Sequence, residues 1–135
     1  MNRISVCTEE NKQVVDITEN VNEFLEKSKT ESGICHLFLT HTTAALTTAD
    51  LDPGTDEDIL DAIRKIIPKL NYRHPHDPKH APDHIASTVI GSDLAIPFEN
   101  KKLVLGTWQK VVLIEFNGPR EREIILSITL SSVQK

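Results

Sequence analysis

Six histidines lie in this 135-residue chain, and four of them, His74, His76, His80 and His84, fall between positions 74 and 84. A fifth, His41, follows a run of β-branched and apolar residues, with His36 five positions before it. Imidazole is the commonest side-chain ligand for zinc and related metals, and a catalytic site uses three protein ligands with a fourth position open. His80 and His84 stand four apart and would share a helix face, but Pro82 separates them and no Glu follows His80, as a zinc-peptidase motif requires. Spacing alone leaves two readings open: a metal-ligand cluster, or histidines decorating a loop stiffened by Pro75, Pro78 and Pro82. His36, on the opposite face of its strand from His41, reads as structural.

Carboxylates form the second group. Asp50, Asp52, Asp56, Glu57 and Asp58 could hold Mg²⁺ against a phosphorylated substrate, or could open a helix with solvated charges. The second reading suits Asp56, Glu57 and Asp58, whereas Asp52, in a turn close in sequence to His41, is the site candidate. Glu115 interrupts an apolar run, and a buried carboxylate needs a partner such as Arg120 or a ligand. A structural ion pair and a catalytic acid both remain open for it. Ser87 and Thr88 lack a Gly-x-Ser-x-Gly setting, and the five glycines form no phosphate loop.

The elements that position these residues follow from periodicity. Residues 3–8 and 12–17 read as a strand pair, with Thr18 capping a helix to about residue 29. Residues 34–41 alternate as a strand that places Cys35, Leu37, Leu39 and His41 on one face. Thr42-Thr43-Ala44-Ala45 then hands over to a loop or short helix. Thr55 caps an amphipathic helix ended by Pro68, and Asp83 caps a short helix over residues 84–90 closed by Gly91. Strands over 94–98, 103–105, 107–116 and 123–130 complete the chain, the first two joined by a loop at residues 99–102. Residues 111–114 are apolar on both faces, as in a central strand. Without regular βαβ alternation this is an α+β chain, and its length suits one domain over residues 1–135.

A net charge of -5 argues against nucleic-acid binding, which relies on cations neutralising phosphates. No apolar run is long enough to span a bilayer. Cys7 and Cys35 stand far apart with no secretory leader ahead of them, so a reduced, cytoplasmic setting is expected.

Six blocks together resemble the YjbQ-like family: 41–47 (His-Thr-Thr-Ala-Ala-Leu-Thr), Asp52-Pro53, Tyr72-Arg73-His74, 81–87 (Ala-Pro-Asp-His-Ile-Ala-Ser), 105–109 (Leu-Gly-Thr-Trp-Gln), and Glu115 with Gly118-Pro119-Arg120. They run in the family's order over nearly all the chain beyond its first thirty or so residues. The chain departs from many relatives at Thr48-Ala49-Asp50-Leu51, which is one residue shorter. The resemblance implies a mostly antiparallel, barrel-like sheet with a few short helices, assembled as a homotrimer. It matches His41, His74 and His84 to the family's histidines, implying a divalent-metal site. It implies substrate contacts from Thr42, Thr43, Ser87, Trp108, Gln109 and Arg120, with Glu115 and Asp52 as the catalytic carboxylates. The family is often named secondary thiamine-phosphate synthase, so the implied reaction joins a hydroxymethylpyrimidine diphosphate to a thiazole phosphate. Three imidazoles suit zinc or another transition metal, whereas a departing diphosphate suits Mg²⁺. The expected function is therefore that transferase on a small phosphorylated substrate. The alternatives are a metal-dependent hydrolase and a trimeric metal- or ligand-binding protein without turnover.

Overall fold

Period-two alternation of buried and exposed residues generates most of the chain's strands. The computed structural model describes residues 1–131, in the order β1 (Asn2–Cys7), β2 (Gln13–Asp16), α1 (Thr18–Lys27), β3 (Gly33–Leu39), β4 (Ala44–Ala49), α2 (Thr55–Ile66), α3 (Ala81–Ile90), β5 (Asp93–Glu99), β6 (Lys102–Leu103), β7 (Lys110–Glu115) and β8 (Glu121–Leu130). A single 3-10 turn, Pro78–His80, precedes α3. The strands pair antiparallel in two groups, β1-β8-β3-β5-β6 and β2-β7-β4, and curl into a half-barrel.

β7 lies between the two halves of the core, as its apolar run predicts. Val111 and Leu113 face the inside of the half-barrel, where they meet Leu37 and Leu39 of β3, Ile124 and Leu126 of β8, and Val21 and Leu25 of α1. Val112 and Ile114 face the other way, onto Ala86 of α3 and Ile63 of α2. Apolar area leaving water, about 25 cal/mol per Å², drives both contacts.

Four local expectations change. Residues 44–49 form a strand rather than a loop or helix, paired from Ala44 opposite Glu115 to Ala49 opposite Lys110. Alanine has little strand preference of its own, so pairing decides here. The small side chains also let α3 approach until Ser87 Oγ donates to the Ala44 carbonyl at 2.7 Å. α3 begins at Ala81, three residues early, because Pro82 sits in the first turn, where an amide has no partner within the helix. Neither threonine caps its helix: Thr18 N–H donates to Asp16 Oδ1, and Gly54, at φ 91°, precedes α2. The Thr18 hydroxyl instead accepts the Val111 N–H at 2.9 Å, tying α1 to β7. β7 itself starts at Lys110, because Gln109 Oε1 accepts the Gly106 N–H and closes a turn.

Candidate functional site

Glu115, at the end of β7, has no exposed surface, and Arg122 on β8 is 2% exposed. Arg122 shares an inward face with Ile124 and Leu126 and meets the carboxylate in a fork: Nε donates to Oε1 at 2.8 Å and Nη2 to Oε2. Thr8 Oγ1 donates to the same carboxylate at 2.7 Å and the Asn117 N–H at 3.0 Å. Burial alone would raise the Glu115 pKa. The hydrogen bonds from Arg122, Thr8 and Asn117 outweigh it and hold the group below the usual 4.5. A carboxylate that saturated neither takes up nor releases protons near neutrality, so its expected role as a catalytic acid or base is replaced by a structural one. Arg120 is not its partner.

Gly118 is required by the same network. A Cβ there would collide with the Glu10 carbonyl and come within 2.8 Å of Glu115 Cγ and 2.9 Å of Thr8 Oγ1.

Above this buried pair opens a polar cleft of about 660 Å³, walled by residues 40–43, Asn117, residues 119–122 and His84 from the first turn of α3. That volume lies within the usual range of small-molecule sites. Arg122 Nη2 also donates to the Thr43 carbonyl and, at 2.9 Å, to Thr43 Oγ1, so the ion pair holds the cleft floor in shape. Thr42 and Arg120 are exposed within it, the Arg120 Nε donating to the Asn117 carbonyl at 2.8 Å.

His41 is held from behind. The Glu123 N–H donates to its Nε2 at 2.9 Å, which leaves the ring proton on Nδ1. Burial, then the nearby Arg122 guanidinium, keep its pKa below the ordinary 6.5, so the ring is neutral at pH 7 and acts as a donor.

The three-histidine metal set does not fit this geometry. A ligating imidazole offers a free lone pair, and the only one on neutral His41 is taken by Glu123. His74 and His84 are neighbours, but their rings stack at 4.7 Å and 27°, presenting faces rather than converging in-plane lone pairs. Among the described residues, no group of three His, Cys, Asp or Glu side chains could hold a metal. One feature of the cluster stays unsatisfied: His74 Nδ1 is buried without a hydrogen-bond partner.

Other expected contacts separate. The Ser87 hydroxyl is buried and committed to Ala44, so it is not free for substrate. Trp108 is 70% exposed, and Gln109 Nε2 donates to Thr48 Oγ1 at the far end of β7 from Glu115. Six residues of strand put that end about 20 Å from the cleft. Asp52 follows the same end of β4; its N–H caps onto Asp50 Oδ1, its side chain is exposed, and it does not line the cleft. Arg122, Asn117 and Glu121 were missed as site residues. Arg122 had a readable signal, since it alternates inward with Ile124 and Leu126.

The fold and cleft define a class: a small half-barrel α+β protein with a polar pocket at one end of its central strand. The family model described as "UPF0047 protein YjbQ-like" matches residues 2–131, and the chain belongs to that family. A UPF0047 protein of Archaeoglobus fulgidus is 33% identical, the match covering 91% of this chain and 96% of that protein. The UPF0047 protein YugU of Bacillus subtilis is 31% identical over 88% of this chain and 91% of its own length. A crystal structure of a YbjQ-like protein of unknown function from Sulfolobus solfataricus superposes with a TM-score of 0.88 at 36% identity, covering 96% of each chain. No helix among the described residues is long and apolar enough to cross a membrane.

Proposed function

We propose that the cleft binds a small phosphorylated molecule, and that the chemistry it favours is displacement of diphosphate of the thiamine-phosphate synthase type. The observation that carries this is the gathering of donors, His41 Nδ1–H, the Thr42 hydroxyl and the Arg120 guanidinium, with His84, on one open cleft. Among the described residues Arg120 is unpaired, whereas the cleft's other charged residues are engaged, Arg122 with Glu115 and Glu121 with the Ser5 hydroxyl. Phosphate oxygens accept from such donors, and Arg120 matches their planar, bidentate geometry. In the reaction, the thiazole nitrogen forms a C–N bond to the pyrimidine methylene carbon as its C–O bond to diphosphate breaks. Arg120 and the His41 N–H would stabilise the charge growing on the leaving oxygens. Because the three imidazoles do not converge, any divalent cation is best carried in as the Mg²⁺ salt of the diphosphate, and the reading gives no support to a metal-dependent hydrolase. We place the protein in the cytoplasm, as a homotrimer. Head-to-tail contact would bring Asp52, Trp108 and Gln109 of one copy to the cleft of the next.

A second reading, a binding protein without turnover, is favoured by one feature: Glu115 is locked in its ion pair and unavailable as acid or base. The deciding experiment supplies both substrates with Mg²⁺ and measures thiamine phosphate. Calorimetry with the pyrimidine diphosphate runs alongside. Turnover lost in Arg120→Ala and His84→Ala supports the synthase; saturable binding without turnover supports the second reading. Binding unchanged in both variants refutes the cleft.

A further inference from the structure

A second cavity lies on the other side of α3 from the cleft, between α2, α3 and Phe116, with a volume of about 200 Å³. Its floor is apolar, built by Leu60, Ile63, Pro82, Ala86 and Phe116. Its rim carries Lys12, Arg64, Lys69 and Lys79 against one carboxylate, Asp83, in a chain whose net charge is -5. Lys12 is committed to Asp83 at 2.8 Å, and Arg64 to Asp61 at 2.6 Å. Lys69 and Lys79 have no carboxylate partner among the described residues. Past Ile63, Ile67 and Ala86 the cavity adjoins a recess of about 60 Å³ reaching Val89 and Ile90. The recess is apolar throughout.

We propose that this groove binds an acyl-chain anion, its carboxylate between Lys69 and Lys79 and its tail running along Ile63 and Ala86 toward Val89. Charge and shape both select this class. Two unpaired ammonium groups beside an apolar floor hold an anionic head, while a cation or a fully polar anion gains nothing from the floor. At a water's share of about 30 Å³ per heavy atom, the main cavity holds on the order of seven such atoms, and the recess extends it. A chain of about eight carbons fills the two. The surface also explains why α2, an amphipathic helix, buries none of its residues and leaves Ile66 68% exposed. The proposal stands apart from the function of the cleft.

The test is titration of the whole protein with octanoate at low ionic strength, followed by calorimetry and by methyl NMR. Expected are one-to-one binding tighter than about 1 mM and methyl shifts at Ile63 and Val89. Affinity should rise by up to about fourfold per added methylene from butyrate to octanoate. The double variant Lys69→Glu/Lys79→Glu changes two exposed side chains, so the fold should survive, and it should weaken octanoate at least about tenfold. Octan-1-ol binding as tightly as octanoate would overturn the proposal. So would affinity independent of chain length, indifference to the charge reversal, or shifts confined to the cleft.

Discussion

Replacing Glu115 with Gln removes a charge while keeping the side chain's size. Arg122 stays behind, 2% exposed and unable to lose its proton. Gln also turns an amide NH₂ toward one of the two sets of donors, either Thr8 and Arg122 Nε or Asn117 N–H and Arg122 Nη2. Breaking one side of a buried ion pair costs about 3–5 kcal/mol, a large part of a domain stability of about 5–15 kcal/mol. With an unfolding entropy of about 2.1 cal/mol/K per residue, that corresponds to a Tm lower by about 10–18 °C for a chain of this length. Circular-dichroism melts at one fixed protein concentration would measure it, since an oligomer's Tm moves with concentration. Glu115→Leu combined with Arg122→Met should recover most of the loss, because two apolar groups of similar size need no counter-charge.

The acid limb supplies an independent check. The folded-state pKa of Glu115 lies below 4.5, so the unfolded chain takes up the proton first. The contribution is therefore present above pH 4.5 and lost as pH falls through and below that value. Glu115→Gln should flatten this limb of the stability profile. A variant within about 1 kcal/mol of the parent, roughly 4 °C, would refute the structural assignment. So would full Tm with lost turnover, which would return Glu115 to the reacting groups.

The remaining predictions concern the walls of the cleft. Nitrogen-15 NMR should find His41 as the Nδ1–H tautomer at pH 7, with a titration midpoint below 6.5. Because the unfolded chain protonates first, stability from this site is present above pH 6.5 and falls as pH drops through the folded midpoint. A ring protonated on Nε2 at pH 7 would contradict the assignment. Gly118→Ala should destabilise by about 1–3 kcal/mol, since the new methyl meets backbone and the Glu115 side chain rather than a flexible tip. An unchanged urea midpoint would show that the turn can shift without disturbing Glu115.

Much of the architecture was legible because burial imposes a period. Cys35, Leu37 and Leu39 alternate inward as their spacing requires, and β7 is apolar on both faces because both faces are covered. β4 was illegible for the complementary reason: Ala44 and Ala45 carry little preference of their own, and neighbours decide their state. The ion pair was half legible. Glu115 announced a buried charge, but its obvious partner by proximity was Arg120, in the same turn. Two positions apart, the arginines would share a face of one continuous strand. They part because β8 begins at Glu121 and leaves Arg120 in the turn, where its Nε donates to the Asn117 carbonyl. Arg122 falls on the inward face with Ile124; Arg120 falls outside, free to meet a ligand.

The histidines fail as a metal set on finer detail than spacing carries. Whether the one lone pair of neutral His41 is free depends on a backbone N–H eighty-two residues away, at Glu123, which occupies it. The blocks of the family resemblance meet a different limit. His41, Arg120 and His84 gather at one end of β7, while Asp52, Trp108 and Gln109 gather at the other. A linear pattern records that residues belong together without recording whether they meet within one chain or between two. If all of them serve one site, about 20 Å of strand must be crossed by a second copy, since no hinge on the β4–β7 pair could close it without breaking six consecutive residue pairings. The exposed Trp108 is then the residue on which assembly and substrate binding depend together: Trp108→Ala should weaken both, whereas a site complete within one chain would lose neither.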